Sequence, residues 1–221
     1  FKGVTGNLSY HVNVLAHNQF LELPGVRNPL QLRSDPRGTS TPTNLSQRNG
    51  YKAFYGLNYS LSNDHEIVID GSYSFDKSQG RFPEFLDTEI YNYQLSPRYL
   101  FQKNYDQIKF DNVFGVDFIY ANYYSDRMQL DGMHYYTRYK IIDKTAAVYF
   151  NSNFKLDTKN KFSFGARYHG NWLRASNSVT PRAYYTGTFT DKSPESFDNP
   201  QFAYHIGYEH KVNNFNVIST K

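Results

Sequence analysis

The sequence predicts an all-β chain, an antiparallel up-and-down segment of a transmembrane β-barrel wall, and three observations point there. Apolar and polar residues alternate with a period of two through eight segments. The connections between those segments alternate too, short polar turns with long irregular stretches. The composition is 18% aromatic, with 21 Tyr and 18 Phe against 1 Trp, at a negative mean hydropathy. Disordered chains are poor in aromatics, and no run approaches the roughly 20 apolar residues of a spanning helix.

The first segment is 4–16, where Val4, Leu8, Tyr10, Val12, Val14 and Ala16 share one face and Asn7, Ser9, His11 and Asn13 the other. The pattern returns in 51–61, 66–75, 91–101, 108–120, 142–156, 162–168 and 202–209, and a further strand begins at Phe215–Ile218. Even-numbered residues are expected outward in 108–120 and 142–156, odd-numbered ones in 51–61 and 91–101. Short turns fall at Ser62–His65, Gln102–Gln107, Asp157–Asn160 and Lys211–Asn214. Long loops are expected over His17–Gly50, Asp76–Ile90, Ala121–Ile141 and Gly170–Gln201.

A soluble sandwich has no reason to sort its loops by end. Its strands are also usually shorter than the ten or more residues of several of these, whereas about 9–11 tilted residues cross an outer membrane. The apolar phase is rich in Tyr, including Tyr51, Tyr55, Tyr73, Tyr93 and Tyr120. A dry core would have to find a partner for each hydroxyl, while a headgroup layer solvates them. Lys144 is the one charge in the apolar phase, placed where its stem reaches that layer.

Several function classes drop out. The 24 basic and 20 acidic residues, net +4, form no block of one sign, so no nucleic-acid footprint is expected. With no Cys there is no thiol chemistry. The 7 His show no metal-ligand spacing, and no GxSxG or phosphate-binding loop occurs. The chain is read as a non-enzyme without cofactor or metal. Charges of the polar phase, among them Asp70, Arg98, Asp111, Asp117 and Arg167, read as solvated or ion-paired lumen groups. Arg98 and Asp111 are expected to face each other.

Three stretches carry a family resemblance. The hairpin 146-AAVYFNSNFKLDTKNKFSFGARYH-169 resembles those of TonB-dependent outer-membrane receptors, with Asn151 and Ser152 where Gln-Asp is common. The hairpin 51-YKAFYGLNYSLSNDHEIVIDGSYSFD-76 and the preceding 23-LPGVRNPLQLRSDPR-37 are similar to parts of the same barrels. So is 197-FDNPQFAYHIGYEHKVNNFNVISTK-221. The resemblance implies a siderophore-receptor type of protein in the bacterial outer membrane, importing a metal chelate, foremost a ferric siderophore. TonB would power it through a plug domain. Residues 1–221 are expected to form one partial barrel domain, with plug and remaining strands lying elsewhere. The alternatives are a small complete barrel of porin or adhesin type and a soluble all-β binding protein.

Recognition residues concentrate on loops carried by rigid scaffolds. Arg33 and Arg37 in the first long loop, with Trp172, Arg174 and Arg182 in the last, are the candidate ligand contacts. Guanidinium and aromatic groups together suit an anionic, aromatic chelate. The competing assignment is contact with lipopolysaccharide, whose phosphates also attract Arg and Lys.

Overall fold

The computed structural model describes residues 1–22, 27–40, 44–81, 85–106, 108–128, 135–181, 190–191, 195–212 and 217–220. They form one antiparallel sheet in sequence order. β1 (Lys2–Thr5) and β2 (Leu8–Glu22) are followed by a six-residue helix, α1 (Pro29–Ser34). Then come β3 (Leu45–Ser62), β4 (His65–Arg81), β5 (Phe85–Tyr105), β6 (Ile108–Met128), β7 (Tyr135–Lys155) and β8 (Asn160–Pro181). Two short strands, β9 (Thr190–Asp191) and β10 (Glu195–Asp198), pair with β8 above β11 (Gln201–Lys211), and β12 (Val217–Thr220) closes the order. β1 and β12 are its two edges and do not pair with each other. The sheet is open, so the closed eight-stranded barrel is not what the described residues form.

The expected first strand is two. Gly6, at φ +55°, turns the chain tightly so that Thr5 faces Leu8 and Lys2 faces His11. That left-handed conformation costs glycine little and other residues more. β1 is thus a strand arriving at a short turn, and β2 starts the first of eight long strands.

The long loops are shorter than expected, because the strands run on into them. β7 and β8 pair from Lys155↔Lys161 to Tyr135↔Pro181, and β6 and β7 from Lys109↔Lys155 to Met128↔Tyr136, with no shift of register. Residues 76–81, 85–90, 121–128, 135–141 and 170–181 are therefore strand. Among the described pairs, one bulge interrupts a ladder, between Ser60 and Ser62 at the β3–β4 turn. The turn expected at Lys211–Asn214 and the strand start expected at Phe215 fall in part on 213–216, outside the described residues.

Fixed register divides the side chains cleanly. Phe114, Phe118, Phe150 and Phe154 leave the apolar face, where Phe114 is 52% and Phe118 49% exposed. Two aromatic bands edge that face. The band nearer the long loops stacks Tyr51, Tyr73, Phe75, Tyr91, Tyr93 and Tyr120, with successive ring centroids 4.6–5.9 Å apart. The band nearer the short turns holds His65, Phe101, Tyr105, Phe110, Phe154, Phe162 and Tyr208. Leu57, Ile67, Ile69, Leu95, Val116 and Val148 lie between. Phe110 to Tyr120, Phe154 to Lys144 and Phe162 to Trp172 are each ten residues. At ~3.3 Å per residue and a ~40° tilt this spans about 25 Å, the height of a barrel's lipid-facing band.

The short turns fix the register. At the β7–β8 turn, Asp157 Oδ1 accepts from the backbone N–H groups of Lys159 at 2.6 Å and Asn160 at 2.7 Å, and Oδ2 accepts from Asn160 Nδ2 at 2.8 Å. The Asn160 amide and then these backbone donors hold the carboxyl below its usual range. A carboxylate with a depressed folded-state pKa stabilises above its unfolded pKa, and that contribution disappears as pH falls through the folded value. Asp157→Ala in the full-length protein is therefore expected to lower the thermal unfolding midpoint at pH 7. The difference from wild type should narrow once the pH drops below about 4.

Candidate functional site

The polar face carries a ladder of charges across the middle of the wall. The β4–β5 register sets Asp70 opposite Ser96 and Val68 opposite Arg98, so Arg98 reaches diagonally to donate to the Asp70 carboxylate. Farther along, Arg167 on β8 reaches over β7 and donates to Asp117 Oδ2 on β6 at 2.7 Å. The Tyr149 ring fills the space between, with the Arg167 guanidinium 5.4 Å from its centroid. Gly115 makes room for that ring: a Cβ there would stand 2.3 Å from Tyr149 Cζ. Asp111 pairs with Lys109 of its own strand at 3.3 Å, not with Arg98 as expected. The register explains it, since Asp111 lies opposite Gln102, two pairs beyond Leu100.

Nearer the long loops is a second cluster. Gly50 stands between His17 and Asp76 in the β2–β3–β4 row and bears no side chain, so His17 Nε2 comes within 3.1 Å of Asp76 Oδ1 across it. Arg48 donates to the same oxygen at 3.1 Å, and Asp76 is only 12% exposed. The β2–β3 connection carries α1. Asn28 and Gln31 form a capping box, each side chain accepting from the other's backbone N–H at 2.9 Å. Arg27 ties the loop together, donating to Gly38 O and Gln31 O, each at 2.8 Å.

The expected ligand contacts separate into three groups. Arg33, on the last turn of α1, and Arg37, just beyond it, are exposed and have no ion-pair partner among the described residues. Both therefore stand on or beside α1, outside the ladders. Arg182 lies outside the described residues. Trp172 and Arg174 stand on β8 and not on a loop, and they leave the apolar face with Phe162, Phe164 and Tyr168. Trp172 opposes Lys144 and is 47% exposed. The segment from 170 looked irregular because its alternation fades, yet the register with β7 continues unbroken and fixes the direction of both side chains.

Missed in the sequence were the Arg98–Asp70 and Arg167–Asp117 pairs. Register could have suggested the first; the second spans 50 residues and a whole intervening strand. Among the described residues no group of three metal-ligating side chains assembles.

No family model and no curated protein matches the sequence. Solved structures do match the fold. The ferric-catecholate import receptor Fiu of E. coli K12 superposes with a TM-score of 0.71 at 9% identity, over 94% of this chain and 39% of that one. The alcaligin outer-membrane receptor FauA of Bordetella pertussis gives 0.68 at 11% identity, over 96% and 32%. The ferric citrate transporter FecA gives 0.63 at 14% identity, over 94% and 32%. The fold is that of part of an outer-membrane β-barrel wall. The chain spans about a third of the length of these receptors, 32–39%. The fold expected from the alternation and from the resemblance is the fold found.

The Arg167–Asp117 pair ties β8 to β6 across β7. Both groups are partly exposed, so solvent screens their attraction. A double-mutant cycle with Arg167→Ala and Asp117→Asn in the full-length protein is expected to give a coupling of about 0.2–1 kcal/mol in unfolding free energy. Additive effects would show that the pair does not brace the wall.

Proposed function

We propose that this chain is part of an outer-membrane receptor that imports an anionic metal chelate, foremost a ferric siderophore, in a TonB-dependent manner. Supporting the reading is an arc of wall with the register and two-banded apolar face of a membrane barrel, sharing its fold with receptors for ferric chelates. The polar face pairs its charges across the strands, Arg98 with Asp70 and Arg167 with Asp117, as in the wall of a water-filled lumen. Residues 1–221 would be a single partial barrel domain, completed by further strands and a plug.

The proposed contacts are Arg33 and Arg37, with Arg182 assigned by its place in the last long connection. α1 gives the first two a fixed mount, through the capping box and the Arg27 clamp. Trp172 and Arg174 leave the opposite face and are not part of this vestibule. A charge-assisted contact shielded from water contributes about 1.5–3 kcal/mol.

Arg33→Ala with Arg37→Ala in the full-length receptor is expected to weaken binding of ferric citrate or a ferric catecholate, whichever binds wild type, about a hundredfold or more. Uptake of the same chelate by cells should stop when TonB is deleted. Unchanged affinity in the double variant would remove the vestibule assignment. Uptake persisting without TonB would indicate a diffusion porin.

A further inference from the structure

Three cations on the apolar face have no use in the import reading. Lys140 and Lys144 on β7 and Arg174 on β8 all leave that face and are all exposed. Arg174 lies opposite Ile142, so it is diagonal to both lysines, at the roughly 7–8 Å of diagonal cross-strand neighbours. Other charges of this region are neutralised: Lys77 donates to Glu89 at 2.8 Å, and Arg138 makes two bonds to Asp126, at 2.9 and 3.2 Å. None of the triad has an ion-pair partner among the described residues. Among the described residues, Asp198, in register with Trp172, and Asp126, diagonal to Lys140 and bonded to Arg138, are the carboxylates beside them, and neither is within ion-pairing distance of any of the three.

Below the triad, towards the short turns, the face is hollowed. Ala146 pairs with Gly170, and this small pair lies between Phe118 on one side and Pro200 on the other. Trp172 stands beside it, so that a Cβ on Gly170 would be 2.9 Å from the indole ring. Two grooves flank Trp172. One, of about 680 Å³, is lined by Tyr93, Leu95, Phe118, Tyr120, Lys144 and Trp172. The other, of about 460 Å³, runs over Ala146, Val148, Tyr168 and Gly170. Unpaired cations at the aromatic band, above apolar channels descending towards the middle of the bilayer, have the layout of an amphiphile with an anionic head and hydrocarbon tails.

We propose that the outward face of β7 and β8 is a binding site for a phosphorylated, acylated glycolipid of the outer leaflet. Lys140, Lys144 and Arg174 take its phosphates, and the grooves beside Trp172 take its acyl chains. The proposal rests on the outer-membrane reading and on the long connections facing outward, which puts the triad in the outer leaflet. Charge complementarity selects this occupant: a neutral lipid leaves three cations unpaired, and a second protein wall would have to supply matching carboxylates. Phosphates satisfy them with charge-assisted hydrogen bonds. Membrane-facing cations near the band otherwise gain only from snorkelling.

The test is native mass spectrometry of the full-length protein in non-ionic detergent, titrated with diphosphorylated hexa-acyl lipid A. Two variants are compared with wild type, K140Q/K144Q/R174Q and Gly170→Leu, each checked for folding by its heat-modifiable gel mobility. Lys77→Gln serves as control because its charge is already paired. Wild type and the control should retain the lipid, the triple variant at least tenfold less. Gly170→Leu, which fills the groove with the cations intact, should also weaken retention. Lipid A stripped of phosphate should bind wild type no better than the triple variant, and millimolar inorganic phosphate should not displace the intact lipid. Equal retention by wild type and the triple variant overturns the proposal. So does displacement by inorganic phosphate, which would leave a simple anion site, and so does preference for a neutral lipid. If the triple variant fails to fold, Lys144→Gln alone and Arg174→Gln alone decide by the same readout. Loss of lipid binding with chelate affinity intact sinks the import reading in no way, and loss of chelate affinity alone leaves the lipid site standing.

Discussion

A wall that faces hydrocarbon cannot leave backbone N–H and C=O groups unpaired, because nothing in the lipid accepts or donates in place of water. The long strands β3 to β8 meet that demand by pairing on both sides, and among the described pairs the ladders hold a single bulge. Register then ceases to be adjustable. A slip of one residue would send Phe114 and Phe118 to the lumen and Asp117 to the lipid. The short turns set that register locally, as Gly6 does for β1 and β2 and Asp157 for β7 and β8. From the register follow the two aromatic bands, the polar ladder and the exposure of the cations.

The two faces solve opposite electrostatic problems. On the polar face, Arg98 with Asp70 and Arg167 with Asp117 neutralise each other inside a wet lumen, where each pair is worth little energetically and mainly orients neighbouring groups. Tyr149 over Gly115 stiffens that arrangement by packing. On the apolar face, Lys77–Glu89 and Arg138–Asp126 neutralise each other beyond the aromatic band. The triad of Lys140, Lys144 and Arg174 breaks the rule, and charges left unpaired beside a membrane call for an anion. Arg33 and Arg37, on and just beyond α1, are likewise exposed and without an ion-pair partner among the described residues.

How legible this was depended on the solvent each residue meets. Within the band, one face touches lipid and the other water, so alternation is strong and the eight strands and their outward residues stood out in the sequence. Beyond the band both faces are wet, the apolar demand disappears, and 121-ANYYSDRM-128 no longer alternates although its ladder continues. That is why strand extensions looked like loops, and why Trp172 and Arg174 looked like loop residues. The break at Gly6 was hidden because Val4 continues the even-numbered apolar pattern in the sequence, although the two-residue turn inverts the phase and sets Val4 opposite Ser9 on the polar face, not with Leu8 and Tyr10 as expected. Ion pairs such as Arg167–Asp117 depend on a neighbour two strands away, which no local pattern contains. Arg33 and Arg37 stood out in the sequence as cations of the first long connection, and the structure sets them on and beside α1, outside the ladders.

The central claim is that register and lipid together assign each side chain of the long strands to one of two solvents. It is tested most directly by nitroxide labels placed one at a time on residues 142–154 of β7, in the full-length protein reconstituted into bilayers. Oxygen partitions into lipid and a nickel chelate into water, so the ratio of their relaxation effects reports the solvent at each site. The account expects a period of two, with even positions such as Val148 and Phe150 favouring oxygen and odd positions such as Thr145 and Asn151 favouring the chelate or showing burial. Oxygen preference at the odd positions, or the same ratio at both, would contradict it.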